Sequence, residues 1–408
     1  MASLLKNMKL ITLDYWLMLA MLFVMKVGQF MMFPFLAIYL SSYAHASAVT
    51  IGVVVGAGAV VYAVISLVAG LFVDRYGVRR AIAFSLFFSG IILYFFFYNH
   101  SVVWFFIMSA LTGATRSFFD VGFKSYKISE ATPDMRRLYF SLRFSVVNSA
   151  AAVGPVLGAY LATSHSALPF KIVGVTYIIL CVISIAVLQE NSITTIAAKP
   201  SARPFRDLLC VIKNDNSLLL LLSISIIIWM VYSQLDSTLA QYLYSALPDG
   251  VRVYSLMLII NAVGCASLQV LVTQASKSLD ERTVCIYAMT SFAAGYFIIA
   301  FSLSMSALVL ASLLIVLAET LVMPLNDLLV MKIAPANRIG TYYGAMGLAM
   351  IGLGIGPMVG GCLYSLLGPE SVFVVGGLLC LVTIIFYQKL LRRISISDVE
   401  GDAELSAA

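Results

Sequence analysis

Apolar runs recur along almost the whole chain, at residues 14 to 40, 49 to 72, 81 to 98, 102 to 126, 139 to 163, 169 to 189, 216 to 244, 251 to 273, 283 to 303, 305 to 331, 341 to 366 and 371 to 391. About 20 helical residues cross roughly 30 Å of hydrocarbon, and every run is near or above that length. Inside hydrocarbon each backbone N–H and C=O needs a partner within the protein, so runs of this kind cross as helices. The alternating strands of a barrel, roughly ten residues each, are absent. Charged residues are only 11% of the chain, against about 25% in soluble domains. The expected fold class is an all-α polytopic membrane protein with twelve transmembrane helices.

Lysine and arginine fall in alternate loops. Lys6 and Lys9 precede the first run; Arg75, Arg79 and Arg80 separate runs two and three; Arg136 and Arg137 separate four and five. Lys199, Arg203, Arg206 and Lys213 lie between six and seven, Lys277 and Arg282 between eight and nine, and Lys332 and Arg338 near the joint of ten and eleven. Lys389, Arg392 and Arg393 begin the tail, while the other loops carry only Lys171 and Arg252. Basic loops stay cytoplasmic, so both termini are expected inside, in a plasma membrane, with a bacterial inner membrane as the setting. The net charge of +6 then records topology and implies no nucleic-acid partner. A cleaved leader ending at "AHASA", residues 44 to 48, is disfavoured because the preceding apolar run is far longer than a signal h-region.

One stretch breaks this pattern. Residues 189 to 217, "QENSITTIAAKPSARPFRDLLCVIKNDNS", are polar and basic, and within them "PFRDLLCVIK" has helical apolar spacing that suits a short helix on the inner leaflet, or else a solvated connector. The expected organisation is a six-helix half at 1–190, a cytoplasmic linker at 191–214, a second six-helix half at 215–393 and a cytoplasmic tail at 394–408. The two halves echo each other. "LAIYL" at 36 to 40 returns as "LAQYL" at 239 to 243, and at an offset of 202 Pro133 pairs with Pro335, Arg136 with Arg338, Gly154-Pro155 with Gly356-Pro357, and Gly158 with Gly360. Repeats of this kind characterise secondary transporters.

Three stretches carry a family resemblance. "GLFVDRYGVRR", with Gly70, Asp74, Arg75, Gly77, Arg79 and Arg80, resembles motif A of the major facilitator superfamily. Gly77 permits a tight turn, and Asp74 can accept bonds from a helix N-terminus or pair across the bundle. The Gly-Pro stretches with Gly154, Pro155 and Gly158 in run five, and with Gly352, Gly356, Pro357 and Gly360 in run eleven, resemble motif C of proton-coupled exporters. Small residues four apart let helices approach closely, and proline removes a backbone donor. "GQFMMFPFLAIYL", with Pro34 and Tyr39, is similar to the end of helix one in drug exporters of the superfamily. Two departures stand out: Val78 occupies a basic position of motif A, and the motif B arginine before Gly113 is replaced by Ser109, with Arg116 beyond the glycine.

The resemblance implies that helices one, four, seven and ten line a central cavity. Those four runs hold Lys26, Arg116 with Asp120, Asp236, and Glu319. A charge at mid-bilayer costs roughly 2.5 to 3.5 kcal/mol, so these five groups are expected to be paired, hydrated or required. Arg116 and Asp120 are one turn apart and suited to an ion pair. Lys26 and Gln29 would share a face. The repeat offset sets Glu319 near the depth of Arg116, so a bridge between halves is one arrangement, and Asp327 is expected as an interfacial charge near Lys332. Proton coupling needs a buried carboxylate that loads on one side and releases on the other; Glu319 and Asp236 are the candidates, unless Arg116 or Lys26 neutralises them permanently. Of the many aromatics, Tyr39 and Tyr232 are candidates for the pathway.

The chemistry left out is also informative. The three histidines, His45, His100 and His165, lie in expected outer loops, and the six cysteines have no CxxC or metal-ligand spacing, so no metal, cofactor or intramembrane enzyme centre is expected. There is no GxxxxGK[ST] for an ATP-driven pump. A receptor or scaffold fits the topology but leaves the charges unexplained. The resemblance implies a monomeric secondary transporter, with membrane lipids, protons and a small molecule as partners. Export of an amphipathic drug or an anionic metabolite such as a siderophore is the leading expectation, and nutrient import the alternative.

Overall fold

A computed structural model describes residues 11–42, 48–126, 128, 131–162, 168–188 and 213–407. Every regular element among them is helical. The first six are α1 (Leu13–Ser42), α2 (Ala48–Tyr76), α3 (Val78–Phe95), α4 (Val102–Ser125), α5 (Pro133–Ala162) and α6 (Leu168–Val187). The rest are α7 (Asn216–Asp236), α8 (Thr238–Ala246), α9 (Gly250–Ala275), α10 (Glu281–Phe301), α11 (Met305–Ile333), α12 (Ile339–Met346), α13 (Ile351–Leu367) and α14 (Pro369–Ala407). Most of the linker, including the amphipathic stretch at 204 to 212, lies outside the described residues.

Eleven stretches among the described residues are long and apolar enough to cross a membrane. The fifth expected span, α5, is not counted among them, its side chains from Gly158 onward lying outside the described residues. Two spans expected as continuous are broken. Run seven divides at Ser237, whose hydroxyl bonds back to the Ser233 carbonyl at 2.8 Å while Thr238 Oγ1 donates to Gln234 Oε1 at 2.7 Å; such local bonds compete with the helical ladder. Run eleven passes through a 3₁₀ turn at Gly347–Met350, between α12 and α13. At the far end, α14 runs on as helix through residue 407. Side-chain caps start two spans: Ser101 accepts from the Trp104 amide, and Asp215 Oδ1 accepts from the amides of Ser217 and Leu218, both at 2.9 Å.

The chain forms two compact units. The first comprises the described residues of Met1–Arg136, Ser145–Leu208 and Pro335–Leu348; the second comprises those of Arg137–Phe144, Leu209–Ala334 and Ala349–Ala408. In the first, α2 packs on α4, α3 on α6, and α12 on α2. In the second, α9 packs on α11, α10 on α11 and α14, and α13 on α7. The pairings of runs two with four and three with six thus return as eight with ten and nine with twelve. Each unit realises the repeat in its own packing.

Candidate functional site

The first unit holds a buried polar centre on α1 and α4. Lys26 Nζ lies 2.8 Å from Asp120 Oδ1 and donates to Oδ2 at 2.9 Å and to Gln29 Oε1 at 3.1 Å. Lys26 and Asp120 are each 6% exposed. The expected pair of Arg116 with Asp120 therefore gives way to one between helices. Lys26 reaches the carboxylate and neutralises it, whereas Arg116, one turn earlier, turns its guanidinium over the Tyr62 ring of α2 at 4.4 Å. Arg116 is 9% exposed, its Nε has no hydrogen-bond partner, and no carboxylate pairs with it among the described residues. A buried ion pair plus a separate guanidinium leaves this centre net positive.

The second unit has a buried carboxylate of its own. Glu319 of α11 is 1% exposed; Asn261 Nδ2 donates to Oε1 at 2.7 Å, and Cys265 Sγ lies 3.6 Å from Oε2. Both donors sit on α9, four residues apart, which places them on one face. No cation pairs with Glu319 among the described residues. The charge pattern of the sequence singles out neither Asn261 nor Cys265, although their spacing in an apolar run is a signal that could have found them. Tyr232 of α7 is half-buried beside Trp229, with ring centroids 5.5 Å apart. Asp236 ends α7 at the break and is exposed. Asp327 pairs with Arg143 at 3.2 Å, and Lys332 pairs with Glu281 at 2.8 Å. Arg116 and Glu319 thus each find their contacts inside their own unit.

The motif A residues form a latch within the first unit. Gly77 adopts φ 88°, a conformation that glycine reaches without a side-chain clash, and so turns α2 into α3. Asp74 then meets the start of α12. Its Oδ1 accepts from the Gly340 amide at 2.7 Å, and its Oδ2 accepts from the Thr341 amide at 2.7 Å and the Thr341 hydroxyl at 2.5 Å. The cap residue Arg338 supplies no side-chain acceptor, so Asp74 satisfies the free amides of that helix from α2. A Cβ on Gly70 would meet the Gly340 carbonyl, which explains the small residues on both sides. Arg75 and Arg80 are exposed and Arg79 half-buried. In the second unit Glu281, at the start of α10, holds Arg137 at 3.3 Å as well as Lys332.

The glycine stripes are packing surfaces. A Cβ on Gly352 would meet Ile226, one on Gly356 would meet Ser233 and Met230, and one on Gly360 would meet Gln234, all on α7. Gln234 Nε2 also donates to the Gly356 carbonyl at 2.7 Å, just before Pro357. On α5 a Cβ on Gly154 would lie 2.5 Å from Phe30 Cβ of α1. The side chain of Pro155 and the surroundings of Gly158 lie outside the described residues, as do those of Pro34 and Tyr39.

The family model of the Major Facilitator Superfamily matches residues 18–354 and 251–400. The chain is 28% identical to the uncharacterized MFS-type transporter YqjV of Bacillus subtilis strain 168, over 84% of each chain. It is 27% identical to Multidrug resistance protein 1 of the same organism, over 36% of this chain and 38% of that one. Among solved structures, the human organic anion transporter MFSD10 (TETRAN) superposes with a TM-score of 0.79 at 16% identity, covering 92% of this chain and 100% of the other.

Proposed function

Because the chain belongs to the Major Facilitator Superfamily, we propose that it is a proton-coupled exporter of small amphipathic molecules bearing an anionic group, working by alternating access. The observation that carries this reading is Arg116: a buried guanidinium stacked on Tyr62, with one nitrogen unbonded and no carboxylate paired with it among the described residues. Lys26 and Asp120 cancel each other, so Arg116 is the cation of this centre left for a ligand. A planar fork of donors suits a carboxylate, sulfonate or phosphate, and the ring face of Tyr62 suits the apolar part of an amphiphile.

Glu319 supplies the proton side. A carboxylate held by Asn261 and Cys265, with no cation among the described residues, is costly to keep charged in hydrocarbon, and taking up a proton relieves that cost. One proton moving through 100 mV gains about 2.3 kcal/mol, enough for roughly a fifty-fold gradient of substrate. Release of the proton on the cytoplasmic side would then be exchanged for loading of the anion. The latch of Asp74 on α12 is the element that opens and closes. The motif C-like stripes and the partial similarity to a multidrug resistance protein support export, and the fold shared with a human organic anion transporter supports an anionic passenger. The same reading puts both termini in the cytoplasm of a bacterial cell, divides the chain at the linker into two six-helix halves, and has the monomer as the working unit.

The test is counterflow in proteoliposomes with a panel of amphipathic carboxylates, sulfonates and cations. Anions should exchange, and Arg116→Gln should lose roughly tenfold or more of that exchange, as expected when a charge-assisted contact is removed. Equal exchange of cations by wild type and variant would overturn the assignment.

A further inference from the structure

A cavity lies in the first unit, with neither Arg116 nor Lys26 in its lining. It runs between α3 and α4 and encloses about 490 Å³, within the roughly 300 to 1,000 Å³ of small-molecule sites. Phe84, Phe88 and Phe95 line it from α3, and Trp104, Met108 and Phe118 from α4. Trp104 to Phe118 spans about 21 Å along the helix, more than the roughly 15 Å of one leaflet's hydrocarbon.

The wall carries no free polar group. Two lining side chains have one, and both are occupied elsewhere. The Trp104 indole N–H donates to the Phe96 carbonyl at 3.0 Å, and the Thr115 hydroxyl is bonded to Ser89 Oγ at 2.7 Å and to the Leu111 carbonyl at 3.2 Å. A ligand here gains contact area and no hydrogen bond. That excludes the amphipathic anion proposed for Arg116 as the natural occupant, since its charged group would be stripped of water with nothing to receive it. Aromatic edges also keep the groove open: Phe84 meets Phe118 at 4.8 Å and Phe88 at 4.6 Å between centroids, so the rings brace one another instead of collapsing inward.

A void of this size beside hydrocarbon is filled, because an empty one forfeits the dispersion contacts of its whole lining. We propose that this groove is a lipid site that holds one acyl chain of a bilayer phospholipid. The chain lies lengthwise between α3 and α4, with the headgroup outside the groove at the end marked by Phe95 and Trp104. The groove is long enough to take a chain that fills one leaflet, and its wholly apolar wall suits a fatty chain.

The full chain, reconstituted in phosphatidylethanolamine and phosphatidylglycerol vesicles and extracted again in detergent, can be weighed intact by native mass spectrometry. A phospholipid adduct should survive on wild type and fall about tenfold on Ala114→Phe and on Met108→Trp, which fill the groove from α4. Thermal unfolding separates loss of lipid from loss of fold. Should neither variant fold, wild-type geometry can be read directly: in Trp16→Phe/Trp229→Phe protein, Trp104 should stay quenched by brominated acyl chains after extensive detergent washing. Equal adducts on wild type and folded variants, retention of a free fatty acid or another amphiphile in place of phospholipid, or full recovery of Trp104 emission on washing would each overturn the proposal.

Discussion

Asp74→Asn is the substitution whose consequence the geometry defines most sharply. The carboxylate accepts three bonds from the first turn of α12, one on Oδ1 and two on Oδ2. An asparagine of the same shape keeps one acceptor oxygen, best placed where it still serves Thr341. Its amide group then points an N–H at the Gly340 N–H, so one charge-assisted bond, about 1.5 to 3 kcal/mol, is lost outright. Removing the negative charge from a helix N-terminus forfeits about 0.3 to 1 kcal/mol more. The sum of about 2 to 4 kcal/mol corresponds to a roughly thirty- to several-hundred-fold rise in opening of that helix start, at 1.4 kcal/mol per tenfold. Hydrogen–deuterium exchange of a peptide covering residues 339 to 346 reads this directly. Exchange should accelerate there while the α10 peptide stays as in wild type. Unchanged exchange in Asp74→Asn would refute the view that this carboxylate holds α12 in place.

Two other substitutions test the packing and the buried charge. Lys26→Met leaves Asp120 without its neutralising cation and should cost about 3 to 5 kcal/mol in thermal unfolding, whereas Lys26→Met/Asp120→Asn should recover most of it; equal loss in both would show that the ion pair is not what stabilises this centre. Gly356→Val places its Cβ where Ser233 and Met230 stand, so it should lower stability by about 1 to 3 kcal/mol or more, while Gly354→Ala, whose Cβ meets nothing within 4 Å, should not.

The elements were legible because length and apolarity alone decide whether a run spans a bilayer. Their interruptions were not. Ser233, Gln234, Ser237 and Thr238 form a cluster of local hydrogen bonds that splits run seven, and the only trace in the sequence was the polar string "SQLDST" within an apolar stretch. The charged groups themselves stood out against hydrocarbon, but their partners did not. Helical spacing offers Arg116 for Asp120, and the actual partner, Lys26, is 94 residues away on α1, brought there by packing that local periodicity cannot encode. Arg143 for Asp327 and Asn261 for Glu319 were hidden for the same reason. Asp74 was readable as an acceptor for some helix N-terminus; which helix depended on Gly70 and Gly340 meeting across 270 residues of chain.

Glu319 is the proton carrier in this account, and its test is transport under an imposed pH gradient in proteoliposomes, wild type against Glu319→Gln. With an amphipathic anion identified by counterflow, wild type should concentrate it against its gradient when the pH difference is applied, and Glu319→Gln should exchange it at a comparable rate yet never concentrate it. Gradient-driven accumulation by Glu319→Gln equal to that of wild type would contradict the assignment of the proton to this carboxylate.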